Sequence, residues 1–114
     1  MNKCIFCQIV DKNIKADIVY EDKNIVAFRD INPQAPVHIL VIPKKHISSI
    51  MSLQEEDEKY IGYIYRVCKE IAKKENVSKT GFRLVVNTGK DAGQEVQHLH
   101  FHFLAGRKLN WPPG

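Results

Sequence analysis

Gln97-His98-Leu99-His100-Phe101-His102-Phe103-Leu104 is the most informative stretch of this 114-residue chain. Apolar side chains and imidazoles alternate through it, and on a strand residues two apart share a face. The alternation predicts a strand over residues 98–104. Leu99, Phe101 and Phe103 then face a core, and His98, His100 and His102 line up along the opposite surface. Three of the chain's five histidines fall in this run. A lone histidine in a strand is most often structural, but three on one face point to chemistry.

Working outward, residues 37–42 form a nearly continuous apolar run, Val-His-Ile-Leu-Val-Ile, ended by Pro43 and interrupted only by His38. Such a run predicts a strand buried on both faces. Residues 19–20 and 25–28 read as a hairpin around the polar turn Glu21-Asp22-Lys23-Asn24. Asn32-Pro33-Gln34-Ala35-Pro36 is a loop, because each proline lacks a donor and disfavours helix before it. Ser52 with Glu55 three residues on predicts a capping box, and Ile61, Ile64, Val67, Cys68 and Ile71 keep helical spacing to about Asn76. The acidic run Glu55-Glu56-Asp57-Glu58 and the later Lys69, Lys73 and Lys74 suit that helix's dipole. A strand over 82–86 and a turn-rich loop over 87–93 complete the chain before the histidine run. The expected class is α+β: a mainly antiparallel five-stranded sheet with one long helix, in a single domain over 1–114 whose last residues, 109–114, form a tail.

Composition narrows the function classes. Hydrophobic residues make up 44% and charged residues 26%, which excludes a largely disordered chain. No apolar stretch approaches the roughly 18 residues a membrane helix needs, and residues 5–10 are too short for a secretory signal. A soluble, cytoplasmic protein is expected, with nuclear entry left open and no membrane partner. Seventeen Lys and Arg against 13 Asp and Glu leave a net charge of +4. The basic residues form short pairs such as Lys44-Lys45, with no stripe interleaved with aromatics, so no nucleic-acid groove is read. Cys68 falls on the apolar helix face as a small core residue.

Two chemistries could use the histidine row. Neighbours i and i+2 can chelate one zinc, but outer residues about 13 Å apart cannot share an ion held at about 2 Å. Alternatively, a neutral imidazole attacks phosphorus while its neighbours supply protons or hydrogen bonds to the oxygens. The middle residue, His100, has a polar neighbour on each side and is best placed to attack. Asp30 at a strand end suits a ribose diol, because one carboxylate accepts two hydrogen bonds. Gly89 and Gly93 let backbone N–H groups approach phosphate oxygens, although the loop lacks the spacing of a P-loop. Cys4 and Cys7 form a C-x-x-C pair that could be a redox couple, two buried structural thiols, or half a zinc site completed by His46 and His98.

Gly93-Gln94-Glu95-Val96-Gln97-His98-Leu99-His100-Phe101-His102-Phe103-Leu104 resembles the G-Q-x-V-x-H-φ-H-φ-H-φ-φ signature of the histidine-triad (HIT) superfamily. Tyr20-Glu21-Asp22, the stretch from Phe28 to His38, Val41-Ile42-Pro43-Lys44-Lys45-His46-Ile47, Val85-Val86-Asn87 and the terminal Trp-Pro-Pro-Gly also look like that family. The tail and compact length favour its Hint branch, purine nucleoside phosphoramidases, over diadenosine-polyphosphate hydrolases. The resemblance implies a HIT-like fold with a short N-terminal helix, and a homodimer whose tail lies near the partner's site. It implies His100 as nucleophile, His102 at the phosphate and leaving group, and His98 and His38 as supporting histidines. Asn87, Gly93 and Val96 would contact phosphate, Asp30 the ribose, and Phe6, Ile9, Phe28, Ile31 and Leu40 a purine. No cofactor is required for catalysis, and a structural zinc on Cys4, Cys7, His46 and His98 is found in some relatives. Glu95 stands where some Hint proteins carry a serine that helps the leaving group. A nucleotide-binding or protein-interaction module with incidental turnover is the reading from another class.

Overall fold

The computed structural model describes residues 4–114. A short helix α1 (Ile5–Val10) precedes the hairpin β1 (Ile18–Glu21) and β2 (Ile25–Arg29), then β3 (Val37–Pro43). Two single 3₁₀ turns, Ile50–Ser52 and Glu55–Asp57, lead into the long helix α2 (Glu58–Lys74). Strands β4 (Phe82–Val86) and β5 (Phe101–Ala105) finish the sheet. The strand order is β1-β2-β3-β5-β4, and every neighbouring pair is antiparallel.

The chain's alternation explains the layers. On one face of the sheet, Ile25, Ala27, Ile39, Val41, Phe101 and Phe103 pack against Ile64, Val67, Cys68 and Ile71 of α2. On the other, Val26, Phe28, Leu40 and Ile42 pack against Phe6 and Ile9 of α1. The two helices therefore bury β3 from both sides, as its unbroken apolar run requires. Truncating a side chain as deep as Phe103 removes about 3–5 kcal/mol.

The structure corrects the sequence reading in two places. The long helix does not start from Ser52. Ser49 caps the first 3₁₀ turn, its Oγ accepting the Met51 N–H at 3.1 Å. The 3₁₀ turn that leads into α2 instead carries a capping box between Gln54 and Asp57, whose carboxylate accepts the Gln54 N–H at 3.0 Å and pairs with Lys45. Asp57 is buried, so within the acidic run it has specific partners in the capping box and Lys45, and is not simply one of several charges near a dipole.

The last strand begins at Phe101, not at residue 98. Val41 opposes Phe101, so Leu99 would oppose Pro43, which has no N–H to continue the ladder. The Leu99 N–H turns to the Ile47 carbonyl at 2.6 Å, and residues 98–100 leave the sheet. The side-chain alternation nevertheless persists. Leu99, Phe101 and Phe103 all lie in the α2-facing core.

Candidate functional site

The histidines gather where β3 and the run into β5 meet α1. They do not form the expected row on an open surface. His98 is wholly buried and His100 nearly so, because Phe6 of α1 covers them, its ring edge-on to both at centroid distances of 5.9 and 5.1 Å. His102 is half-buried, with its ring centroid 5.1 Å from that of His100.

Backbone groups decide which nitrogen of each ring carries the proton. His98 Nε2 lies 2.8 Å from the Pro43 carbonyl, which can only accept, so Nε2 bears the hydrogen and Nδ1 a lone pair. His100 Nδ1 lies 2.7 Å from the His98 carbonyl, so Nδ1–H donates and Nε2 keeps its lone pair. His38 Nδ1 accepts the Gln34 N–H at 3.0 Å, which leaves its hydrogen on Nε2. That Nε2–H points at His102 Nδ1, 2.9 Å away, with Asp30 Oδ2 at 3.5 Å. His102 must then accept at Nδ1 and carry its own hydrogen on Nε2. The site thus presents one bare imidazole nitrogen, on His100, beside one N–H donor, on His102.

Burial reinforces this arrangement. It pushes His102 down to about 4, helped by the neighbouring His100 and His38 and opposed by Asp30. His38 is lowered by burial against the pull of Asp30. Neither ring could take a second proton without setting two N–H groups against each other. His102 therefore acts as a neutral hydrogen-bond donor. Asp30, His38 and His102 also lie close enough together to suggest a metal site. The Gln34 N–H opposes it, since a metal on His38 Nε2 would need the ring hydrogen on Nδ1, facing another donor.

The other end of the cluster has the opposite character. His98 Nδ1 lies 3.2 Å from His46 Nδ1, 3.4 Å from Cys4 Sγ and 3.6 Å from Cys7 Sγ. Cys7 Sγ is 3.2 Å from His46 Nδ1, and all four ligand atoms lie within 4.8 Å of one another. A zinc with bonds of about 2.3 Å to sulfur and 2.0 Å to nitrogen spaces its tetrahedral ligands by about 3.3–3.8 Å. The donor set and its spacing fit that ion. The C-x-x-C pair reaches it because Cys4 caps α1, its sulfur accepting the Cys7 N–H, while Cys7 lies one turn on. Burial pushes His98 down to about 4, keeping a lone pair on the ring. Cys68 lies elsewhere, its thiol raised to about 12 by burial in α2.

The remaining expected contacts divide. Phe6, Ile9, Phe28 and Leu40 form one apolar cluster, with Val96 packed against it. Ile31 stands apart, fully exposed in the loop beyond β2. Asp30 is half-buried, and its Oδ1 already accepts the Asn32 N–H at 2.8 Å. Asn87 is half-buried at the start of the glycine loop. The Gly93 N–H is directed inward to the Lys90 carbonyl at 3.0 Å, closing a turn at positive φ. Glu95 and Val96 line a cavity of about 500 Å³ with Cys4, Ile5, His46, Ser48 and Gln97.

Two residues escaped the sequence reading. Buried Gln94 accepts the Gly89 N–H at 3.0 Å and donates to the Ser48 and Val96 carbonyls at 2.8 and 3.1 Å, pinning the glycine loop. Its place directly after Gly93 in the signature was the available signal. Arg107 holds the Gln34 carbonyl from beyond β5, and nothing in a single arginine after a glycine marks it.

Comparison with known proteins bears on the same elements. The family model described as scavenger mRNA decapping enzyme C-term binding matches residues 3–110. An uncharacterized HIT-like protein of Synechococcus elongatus is 50% identical over 110 residues, 96% of each chain. A 14 kDa zinc-binding protein of Zea mays is 46% identical over 112 residues, 96% of this chain and 87% of that one. The crystal structure of a HIT family hydrolase from Legionella pneumophila superposes with a TM-score of 0.96 at 49% identity, covering 98% of this chain and all of that one. A histidine triad nucleotide-binding protein from Candida albicans gives 0.80 at 31% identity, over 96% of this chain and 83% of that one. With nearly its whole length matched, and the same sheet and helices beneath, the chain belongs to this decapping-enzyme C-terminal family and to the histidine-triad superfamily.

Proposed function

We propose that this chain is a Hint-type hydrolase that cleaves the P–N bond of purine nucleoside 5′-phosphoramidates through a nucleotidyl group on His100. The observation that carries this reading is the paired tautomers: His100 offers a bare Nε2, and His102 offers Nε2–H beside it. His100 Nε2 attacks the α-phosphorus, the bond from phosphorus to the amine breaks, and the departing nitrogen takes a proton from water, leaving the nucleotide on the ring. Water then cleaves the new P–N bond and releases the nucleoside monophosphate. His102 Nε2–H donates to the phosphoryl group, where charge develops. Asp30 takes the ribose hydroxyls and the Phe6, Ile9, Phe28 and Leu40 cluster backs the purine, Ile31 covering it from the loop. Asn87 and the backbone about Val96 serve the phosphate. The hydrolase and nucleotide-binding relatives support the reaction class.

Cys4, Cys7, His46 and His98 hold a zinc, consistent with the zinc-binding relative. Four protein ligands leave no position for substrate, so the ion would cross-link α1 to the catalytic segment. The chain is read as a homodimer. Tyr65 and Phe82 are exposed beside Leu84 on an apolar groove between α2 and β4, a surface suited to a second copy.

The test is direct. Adenosine 5′-phosphoramidate and diadenosine triphosphate are offered side by side, and protein quenched in alkali, where a phosphorus–imidazole bond persists, is searched by mass spectrometry for an AMP adduct on His100. Faster turnover of the phosphoramidate with the adduct present is expected. Preference for the dinucleotide would replace the P–N bond by P–O, and tight AMP binding with neither product would leave a binding module.

A further inference from the structure

The loop between β2 and β3 contains no regular structure, yet one of its amides reaches the buried His38, which in turn contacts the half-buried His102. Gln34 is exposed, but its N–H reaches inward to His38 Nδ1 at 3.0 Å. The clamp on that residue comes from Arg107, which holds the next peptide group along. Its Nη2 and Nε donate to the Gln34 carbonyl at 2.9 and 3.3 Å, while Nη1 donates to the Lys108 carbonyl at 3.0 Å. The guanidinium is thus tied to both segments through a rigid plane. Gly106 makes the approach feasible: it adopts φ +96°, and a Cβ there would lie 2.8 Å from Pro36 Cβ.

We propose that Arg107 is a positioning residue for His102, fixing through Gln34 and His38 the ring nitrogen on which His102 carries its proton. The reasoning is one of hydrogen count. Each contact in the chain Gln34 N–H, His38 Nδ1, His38 Nε2, His102 Nδ1 can hold one hydrogen. With the Gln34 amide in place, His38 is Nε2–H and His102 is Nε2–H. If the loop swings away, His38 Nδ1 can take its hydrogen and donate to water. His38 Nε2 then accepts from His102 Nδ1–H, and His102 turns a bare Nε2 towards the site. Both rings flip together. A site with two bare nitrogens repels phosphoryl oxygens and loses its donor.

The consequence for turnover rests on the phosphoramidase reading, but the tautomers do not. In the full chain labelled with ¹⁵N-histidine, long-range proton–nitrogen correlation spectra should show His38 and His102 with protonated Nε2 and bare Nδ1. Arg107→Ala should convert a measurable fraction of both rings to the Nδ1–H form. It should lower kcat by about 10- to 100-fold with KM changed far less. Arg107→Lys should lie between, and added guanidinium ion should partly restore Arg107→Ala. If Arg107→Ala does not fold, Arg107→Lys and Arg107→Gln carry the same spectra. Wild-type tautomers in a folded Arg107 variant overturn the proposal, whatever happens to kcat. A wild-type chain inert towards phosphoramidate overturns the functional reading instead, and the nitrogen spectra still decide the role of Arg107.

Discussion

The two ends of the histidine cluster are built on opposite principles. At the His38–His102 end, each facing pair of groups has one hydrogen between them, the Gln34 N–H at His38 Nδ1 and the His38 Nε2–H at His102 Nδ1. At the His46–His98 end, two Nδ1 atoms lie 3.2 Å apart beside two sulfurs. His98 has already committed its hydrogen to the Pro43 carbonyl. The first end is complete as a hydrogen-bond network; the second brings four metal-ligating atoms within 4.8 Å of one another, a spacing that fits a cation. His100 joins them, since its Nδ1–H rests on the His98 carbonyl while its ring lies beside His102. One strand terminus therefore couples a metal-like site to a donor site through a single backbone oxygen.

The largest effect should come from removing the joint. His100→Ala is expected to lower turnover by more than about 10³-fold, or about 4 kcal/mol of barrier. Folding and nucleoside monophosphate binding should change little, because the ring lies off the α2-facing core. Turnover within tenfold of wild type would remove the covalent histidine.

Breaking the metal-like end should instead be a matter of stability. Protein purified without chelator should carry about one zinc per chain by elemental analysis, and Cys4→Ser should lose it. The loss should cost about 4 kcal/mol, or roughly 15 °C in Tm at this chain length. Turnover of the molecules still folded should fall much less. A zinc-free protein with unchanged Tm in Cys4→Ser would mean that the four side chains are merely neighbours.

Much of this was readable in the residues, and the misses have physical causes. The apolar run from Val37 required burial on both faces, and α1 and α2 supply it. Alternation placed Leu99, Phe101 and Phe103 correctly even where the ladder had ended, because side-chain period outlasts hydrogen-bond pairing. The ladder's end at Pro43 depends on register, which a single strand's sequence does not contain. The capping box at Gln54 and Asp57 competed with an equally plausible one at Ser52, and Asp57 has a partner, Lys45, that is distant in sequence. The tautomers depend on Gln34, Pro43 and the His98 carbonyl, all backbone groups that any residue could supply. Such groups leave no mark in composition or motif.

Acid should sharpen the contrast between the ends. Burial first, then His100 and His38, hold His102 at about 4, below an ordinary value of 6.5. The unfolded chain binds this proton near 6.5 and the folded one only near 4, so the unfolded state gains protons over that window. Stability from this ring is complete above about pH 6.5 and is lost as the pH falls towards 4, by up to about 3 kcal/mol. Urea midpoints across that range should therefore fall more steeply for wild type than for His102→Gln, which cannot titrate. Parallel slopes would show that His102 is not held neutral by its surroundings.

The smallest expected effect concerns Asp30, which touches both the network and the proposed ribose. Its Oδ1 accepts the Asn32 N–H and its Oδ2 lies 3.5 Å from His38 Nε2. Asp30→Ala should weaken binding of a purine ribonucleoside monophosphate by about 1–3 kcal/mol, through loss of charge-assisted bonds to the hydroxyls. The same substitution also loosens the loop that carries Gln34, so a weaker ribonucleotide alone would not separate the two roles. A 2′,3′-dideoxy analogue does. It keeps base and phosphate, and it would feel the loosened loop but not the missing hydroxyl contacts. Titration calorimetry should show the ribonucleotide losing about tenfold or more in affinity and the dideoxy analogue much less. Equal losses would make Asp30 part of the donor end of the cluster alone, holding the loop beneath Arg107 and leaving the sugar to other residues.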